Sequence, residues 1–268
     1  MKAEQWVQAD KIYATKDGEL GWIVFNQPEK RNAISMEMWQ ALPDLMQAHQ
    51  DDPGVRVILF RGAGDQAFIS GADISQFEKL RSDMNKAQDY NAATDLATAA
   101  IKESTKPTVA MIHGFCFGGG VGIASACDLR VASADARFRI PAARLGLSYG
   151  FAGIQHLISL VGAANAREIF ITASVYSAEE MLRMGYLNRV YPIERLEQET
   201  LAYANAIAAN APLTVQSIKI SVNEAVKDAG MRDMDNVQAA FIRCFNSKDY
   251  EEGRRAFMEK RNPEFRGE

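Results

Sequence analysis

The chain has 268 residues, 47% of them hydrophobic and 24% charged, a balance typical of a folded globular protein and unlike that of disordered or fibrous chains. The net charge of −4 gives no general attraction to nucleic acid or anionic membranes, so an anionic ligand needs local cations. The three cysteines show no CxxC spacing, which argues against a zinc site and fits a reducing compartment. Residues 1–13 lack the apolar core of a signal peptide, and no run of about 18 apolar residues indicates a membrane span. We therefore expect a cytoplasmic protein that uses no metal.

The first half of the sequence predicts alternating strands and helices. A hairpin is expected from residues 8–16 and 20–25, which flank the turn dipeptide Asp17-Gly18. Ser35 is a candidate N-cap for a helix that runs to about His49 and that an internal proline should bend or loosen. Further strands are predicted over residues 55–60, 67–70, 108–112, 129–132 and 138–140. Further helices are predicted over residues 83–103 and from the glycine run at 114–122 to about residue 127.

Helical spacing dominates from Gly153 onward. Helices are predicted over residues 163–172, 177–184, 193–209 and 212–228, before two amphipathic helices and a basic tail. The fold class is therefore α/β. Residues 1–200 are expected to form the core, and residues 201–268 a C-terminal helical region.

Two glycine-containing turns could bind an oxyanion. Gly118-Gly119-Gly120 follows an apolar strand and opens a helix, where free backbone N–H groups and the helix dipole favour negative charge. The run fits neither GxGxxG nor a P-loop. Ser70-Gly71-Ala72-Asp73 has the same pattern, so each turn could place one amide on a shared oxygen. The alternative is a pair of tight strand-to-helix turns that bind nothing.

The order and spacing of several motifs resemble those of the crotonase superfamily, the enoyl-CoA hydratase/isomerase family. The motifs are Asn26-x-Pro28 with Asn32-Ala33, Phe68 to Ile74, Lys106-Pro107, the glycine run, Cys127-Asp128, Gly146, Ser177 to Gly185, and Ala256 to Arg261. The resemblance covers nearly the whole chain. It implies a spiral of ββα turns with a C-terminal helical trimerisation region, and a homotrimer or a dimer of trimers.

The resemblance also implies a site for an acyl-CoA thioester, with coenzyme A as part of the substrate and no separate cofactor. The oxyanion hole would come from the backbone N–H groups of Ala72 and Gly119. The residues expected to contact coenzyme A are Lys30, Arg31, Ala33, Ser70, Asp73 and Ile74, together with Phe257 and Lys260 from a neighbouring subunit. The basic residues in this set could equally be solvated surface charges.

The sequence departs from the family at the two glutamates that typical hydratases use. The corresponding positions hold Gly122 and Ala142. Hydration needs a group that positions water and a group that delivers a proton, and neither glycine nor alanine can do so. We therefore expect an acyl-CoA-processing enzyme, a lyase by family, that stabilises a thioester enolate without the usual pair of glutamates.

Tyr149 is the candidate that could take part in chemistry instead. The stretch at residues 145–150 resembles methylmalonyl-CoA decarboxylase, which has a tyrosine at this position but a histidine where this chain has Ala72. Decarboxylation of a malonyl-type thioester would be one reaction, and a non-catalytic acyl-CoA-binding protein is the other alternative. Tyr149 could also be only an aromatic of the pocket wall. Arg139 or Arg144, if directed inward, could bind an acidic acyl group.

Overall fold

The computed structural model describes residues 5–73 and 84–268. Its strands are β1 (Gln5–Ala9), β2 (Ile12–Asp17), β3 (Leu20–Phe25), β4 (Val57–Gly62), β5 (Ala67–Ile69), β6 (Thr108–Ile112), β7 (Phe115–Phe117), β8 (Leu129–Ser133), β9 (Arg137–Arg139), β10 (Tyr176–Ser177) and β11 (Arg189–Tyr191). Its α-helices are α1 (Met36–Asp51), α2 (Met84–Lys102), α3 (Gly119–Ala126), α4 (Phe151–Thr172), α5 (Ala178–Arg183), α6 (Ile193–Ala208), α7 (Pro212–Ala225), α8 (Met234–Phe245) and α9 (Lys248–Glu259). Short 3-10 helices span Pro28–Lys30, Ala142–Leu145 and Ala229–Met231.

The strands form two sheets. The larger has the order β1-β2-β3-β4-β6-β8-β11 and is parallel from β3 onward. The smaller has the order β10-β9-β7-β5, and its strands β5, β7 and β9 are parallel to one another. From β4 to β9, successive strands alternate between the two sheets, so each pass of the chain adds one strand to each. The predicted spiral of ββα turns is confirmed.

Both faces of the large sheet are buried. Side chains alternate along each strand, so Ile23 and Phe25 enter the main core while Trp22 and Val24 enter a second one. Burial on both sides explains why these parallel strands appear in the sequence as continuous apolar runs. Helices α1, α3 and α4 contribute to the main core, and α6 covers the opposite face.

The predicted division at residue 200 falls inside α6. This helix packs Leu196, Ala204 and Ala208 against the large sheet. The next helix, α7, is tied to the core by Lys219, whose ammonium lies 2.7 Å from the Asp128 carboxylate. The predicted domain boundary and the predicted role of the C-terminal helices in trimerisation stay predictions.

Most of the long elements were predicted, and several short ones were missed. The Ser35 hydroxyl accepts a hydrogen bond from Met38 N–H, and α1 runs on through Pro43 to Asp51. The sequence did not predict β7, β10 or β11 as strands, nor the first part of α4. That helix has a non-helical residue at Gly162 (φ 75°), so only its second segment was predicted. Strands of two or three residues carry too little periodicity to be detected.

Candidate active site

The two glycine turns predicted from the sequence lie side by side. They follow β5 and β7, which are parallel neighbours in the small sheet and therefore end at the same edge. Gly71 has φ 122° and Gly118 has φ 50°, a region that favours glycine. A Cβ added to Gly118 would lie only 3.9 Å from the Cα of Gly71. That distance is an ordinary van der Waals contact, so glycine is favoured at both positions by the positive φ rather than by lack of space.

Each turn leaves one backbone amide available. Ile34 N–H donates to Gly71 O at 2.8 Å, and Ile34 O accepts from Asp73 N–H at 2.9 Å. In this parallel bridge the N–H of Ala72, which lies between the two bonded residues, faces away from Ile34. Gly119 is the first residue of α3, where N–H groups have no partner within the helix. Within residues 5–73 and 84–268, neither the Ala72 nor the Gly119 N–H donates a hydrogen bond, and both residues line one cavity.

That cavity has a volume of about 510 Å³, which suits a small-molecule ligand. Its walls come from α1, α2, α3, the 3-10 helix at Ala142–Leu145 and α4. Trp39 of α1 and Tyr90 of α2 fix two walls together, because the indole Nε1–H donates to the Tyr90 hydroxyl at 3.0 Å. The two turns that carry these amides therefore border a defined pocket.

The positions of both missing glutamates line this cavity. A Cβ on Gly122 would lie 4.0 Å from the hydroxyl oxygen of Tyr149, which also lines it. The Tyr149 ring packs against Phe170 with their centroids 5.0 Å apart. Ala142 is buried in the opposite wall segment. Among the described residues that line the cavity, Asp95 is the one carboxylate.

The residues expected to contact coenzyme A cluster beside the first glycine turn. Lys30 pairs with the buried carboxylate of Asp73 at 3.0 Å, and Ala33 N–H donates to Lys30 O at 3.1 Å. Arg31 donates from Nε to the Gln66 side chain at 3.3 Å, and its guanidinium lies 5.4 Å from the ring centre of Phe115. These contacts organise the loop.

Ser70 and Ile74 are the other two expected coenzyme A contacts of this chain segment. Ser70 lines the cavity, and its N–H donates to Arg31 O at 3.1 Å. Ile74 lies outside the described residues.

Phe257 and Lys260 lie on the C-terminal helix and its cap, away from the cavity of their own chain. Phe257 is 82% exposed, and Lys260 ends α9 in a left-handed conformation (φ 56°). Their expected contact with coenzyme A from a neighbouring subunit stays a prediction.

Arg139 and Arg144 were secondary candidates, and His156 and His113 are further titratable groups of this region. Arg139 lines the cavity and donates from Nε to Ala173 O at the end of α4, at 2.9 Å, whereas Arg144 is exposed and outside the lining. His156 lines the cavity, with Nε2 2.5 Å from Ser125 O. His113 is buried outside it, and burial lowers its pKa.

Sequence reasoning missed the wall formed by α2. Besides Tyr90, five polar residues of this helix line the cavity: Asn91, Thr94, Asp95, Thr98 and Lys102. Their spacing places them on one face of a helix, so a polar stripe was visible in the sequence. The sequence alone gave no sign that this polar face turns toward a ligand cavity rather than toward solvent.

Two further properties concern the described part of the chain. It contains no group of three or more His, Cys, Asp or Glu side chains placed to hold a metal ion. Within the same ranges, no helix is both long and apolar enough to cross a membrane.

Known proteins with similar sequences show which family this chain belongs to. The family model described as enoyl-CoA hydratase/isomerase matches residues 15–268. The chain therefore belongs to the enoyl-CoA hydratase/isomerase family. It is 34% identical over 256 residues to the crotonyl-CoA hydratase of Syntrophomonas wolfei, covering 96% of this chain and 98% of that protein. It is 30% identical over 262 residues to the short-chain-enoyl-CoA hydratase of Clostridium acetobutylicum, covering 96% and 98%.

A solved structure shares the same fold. The enoyl-CoA hydratase/carnithine racemase of Magnetospirillum magneticum superposes with a TM-score of 0.93 at 29% identity, covering 98% of this chain and 97% of that one. The crotonase fold expected from the sequence is confirmed. The local similarity to methylmalonyl-CoA decarboxylase stays a prediction.

Proposed function

We propose that this protein binds an acyl-CoA thioester in the cavity and stabilises its enolate with the backbone N–H groups of Ala72 and Gly119. The observation that carries the proposal is the pair of adjacent glycine turns, which border one pocket and each of which contains a backbone N–H without a hydrogen-bond acceptor among the described residues. Crotonyl-CoA hydratase and short-chain-enoyl-CoA hydratase among the relatives support a thioester of coenzyme A as the ligand.

The two amides would act on the thioester carbonyl oxygen. Negative charge grows on this oxygen as the enolate forms, and fixed donors in a closed cavity stabilise it without reorganisation. One such donor typically contributes about 3 kcal/mol to the transition state. The N-terminus of α3 behind Gly119 adds a favourable dipole.

The usual two-glutamate hydration is not part of the proposal. Gly122 and Ala142 line the cavity where the family's carboxylates are expected, and neither side chain can hold water or transfer a proton. We infer that the reaction starts from a substrate that forms its enolate without the two family glutamates.

Decarboxylation of a malonyl-type thioester meets that condition, and the position of Tyr149 favours it. The bond from Cα to the carboxylate carbon breaks, carbon dioxide leaves, and the electron pair forms the enolate held by the two amides. The Cα then takes up one proton to give the saturated thioester. The Tyr149 hydroxyl lies beside Gly122 in the cavity, which supports a role in orienting the carboxylate or delivering that proton.

Turnover of two substrates tests the proposal. Purified protein is incubated with crotonyl-CoA and with methylmalonyl-CoA, and hydration and carbon dioxide release are measured. We expect carbon dioxide release from methylmalonyl-CoA and its loss in Tyr149→Phe. Tyr191→Phe, which changes a tyrosine of β11 outside the cavity lining, is the matched control and should keep the activity.

Three results would contradict parts of the proposal. Hydration of crotonyl-CoA at rates normal for the family would refute the importance of the missing glutamates. Unchanged decarboxylation in Tyr149→Phe would remove that residue from the chemistry. Tight binding of both thioesters without any product would favour a non-catalytic acyl-CoA-binding protein.

A further inference from the structure

The cavity extends well beyond the two glycine turns. One face of α3 lines it from end to end, with Gly119 first, Gly122 about one turn later, and Ser125 and Ala126 about one turn after that. At 1.5 Å of rise per residue, the far end of the helix lies roughly 10 Å from its start. A thioester whose carbonyl is held at Gly119 can therefore extend its acyl chain toward a distal end of the cavity.

The distal end of the cavity is formed by polar and cationic residues. Lys102, the last residue of α2, lines it together with His156 of α4 and Ser125 of α3. The His156 ring bonds the Ser125 carbonyl at 2.5 Å, which fixes its orientation. Thr98, one turn before Lys102, also lines the cavity, but its hydroxyl donates to Thr94 O at 2.9 Å. Ala126 and Leu157 also line the cavity, so a plain hydrocarbon tail would have apolar contacts but would leave the Lys102 ammonium without a partner.

Positive charge at this end is not neutralised by the protein. No carboxylate of residues 5–73 and 84–268 lies within ion-pair distance of the Lys102 ammonium. Burial lowers the pKa of Lys102, and the nearby charge of Glu103 only partly offsets this. Burial lowers the pKa of His156, and the charges of Lys102 and Arg130 lower it further. With its pKa below the usual 6.5, His156 is neutral near pH 7, so the positive charge among Lys102, His156 and Ser125 is that of Lys102, and an anion bound beside it would stabilise its charged form.

We propose that this distal end binds a carboxylate at the far end of the acyl group, with Lys102 as the residue that selects it. The substrate is then the coenzyme A thioester of a dicarboxylic acid rather than of a plain fatty acid. Lys102 remains exposed to solvent as a residue, so an incoming carboxylate can reach it. The inference rests on the proposed thioester binding. The carboxylate at Lys102 is not the Cα carboxylate of a malonyl-type thioester, so a substrate bound here undergoes the proposed decarboxylation only if it carries both groups.

Calorimetric titration with two inert thioesters tests it. Adipoyl-CoA and hexanoyl-CoA have acyl chains of the same length and differ in a carboxylate that replaces the terminal methyl group. The wild type should bind adipoyl-CoA about tenfold more tightly, the effect of one charge-assisted hydrogen bond. Lys102→Met should abolish the preference, and Lys102→Arg should keep it. Lys86→Met, on the same helix but outside the cavity lining, is the matched control.

The other outcomes separate the two proposals. Equal affinities in the wild type, or a preference that survives in Lys102→Met, would overturn the carboxylate site and leave thioester binding intact. Failure to bind either thioester would overturn both proposals. Free coenzyme A serves as a third ligand, and its affinity should not change in Lys102→Met. A matching loss of coenzyme A affinity would place Lys102 on its phosphates and overturn the inference.

Discussion

Two glycines of the same helix, α3, should respond to alanine in opposite ways. A Cβ on Gly120 would lie 2.6 Å from the backbone oxygen of Ile69 and 2.9 Å from its Cβ, so β5 or the helix must move. A Cβ on Gly122 would meet nothing closer than the Tyr149 hydroxyl at 4.0 Å. The two substitutions add the same methyl group to the same element, so they differ only in the space available.

The magnitudes follow from packing and helix propensity. Forcing a methyl group into filled space costs about 1–3 kcal/mol, whereas alanine gains about 0.5–1 kcal/mol over glycine inside a helix. Gly120→Ala should therefore lose about 1–2 kcal/mol, and Gly122→Ala should gain about 0.5–1 kcal/mol. At roughly 2–4 °C per kcal/mol, Gly120→Ala should melt about 2–8 °C lower, and Gly122→Ala about 1–4 °C higher.

Thermal denaturation followed by circular dichroism, together with urea titration, measures both effects. Gly120→Ala should also weaken thioester binding, because any displacement of the start of α3 moves the Gly119 amide. If Gly120→Ala is as stable as the wild type, or if Gly122→Ala is destabilised to the same extent, the close contact between α3 and β5 is wrong.

Two further predictions concern stability. Asp128→Asn should destabilise the fold by about 3 kcal/mol in urea titration, because it leaves the buried ammonium of Lys219 without its charged partner; a loss below about 1 kcal/mol would mean that the ion pair is replaceable. Burial lowers the pKa values of His49, His113 and His156 from 6.5, so the unfolded chain binds more protons below about pH 6.5 and stability falls as the pH falls. The free energy of unfolding should drop by up to about 1.4 kcal/mol per pH unit for each histidine; a urea midpoint equal or higher at pH 5.5 than at pH 7.5 would contradict this.

The parts of the fold that could be predicted are those with local physical signals. Asp17-Gly18 marks a hairpin turn, and Ser35 and Ser177 cap helices through their own side chains. The parallel strands are recognisable because burial on both faces requires continuous apolar residues. The glycine turns could also be predicted from a local signal, because the positive φ at Gly118 favours glycine at that position.

The rest depends on contacts between distant segments. The strand β7 has only three residues and is defined by its pairing with β5 and β9. The hydroxyl of Tyr149 comes to lie beside Gly122 only after α4 packs against α3. The polar face of α2 was visible as a pattern, but its orientation toward the cavity is decided by tertiary packing, including the bond between Trp39 and Tyr90. Such arrangements leave no mark in a single sequence.

The most direct test of the central claim is the vibrational frequency of the thioester carbonyl in the bound state. Difference infrared spectroscopy with a ¹³C-labelled carbonyl of an inert acyl-CoA isolates this one bond in the complex. If the Ala72 and Gly119 amides both donate to the carbonyl oxygen, the bond is polarised, and its stretching frequency should fall below that of the same thioester in water. A frequency equal to or higher than the value in water would show that the two amides do not form an oxyanion hole.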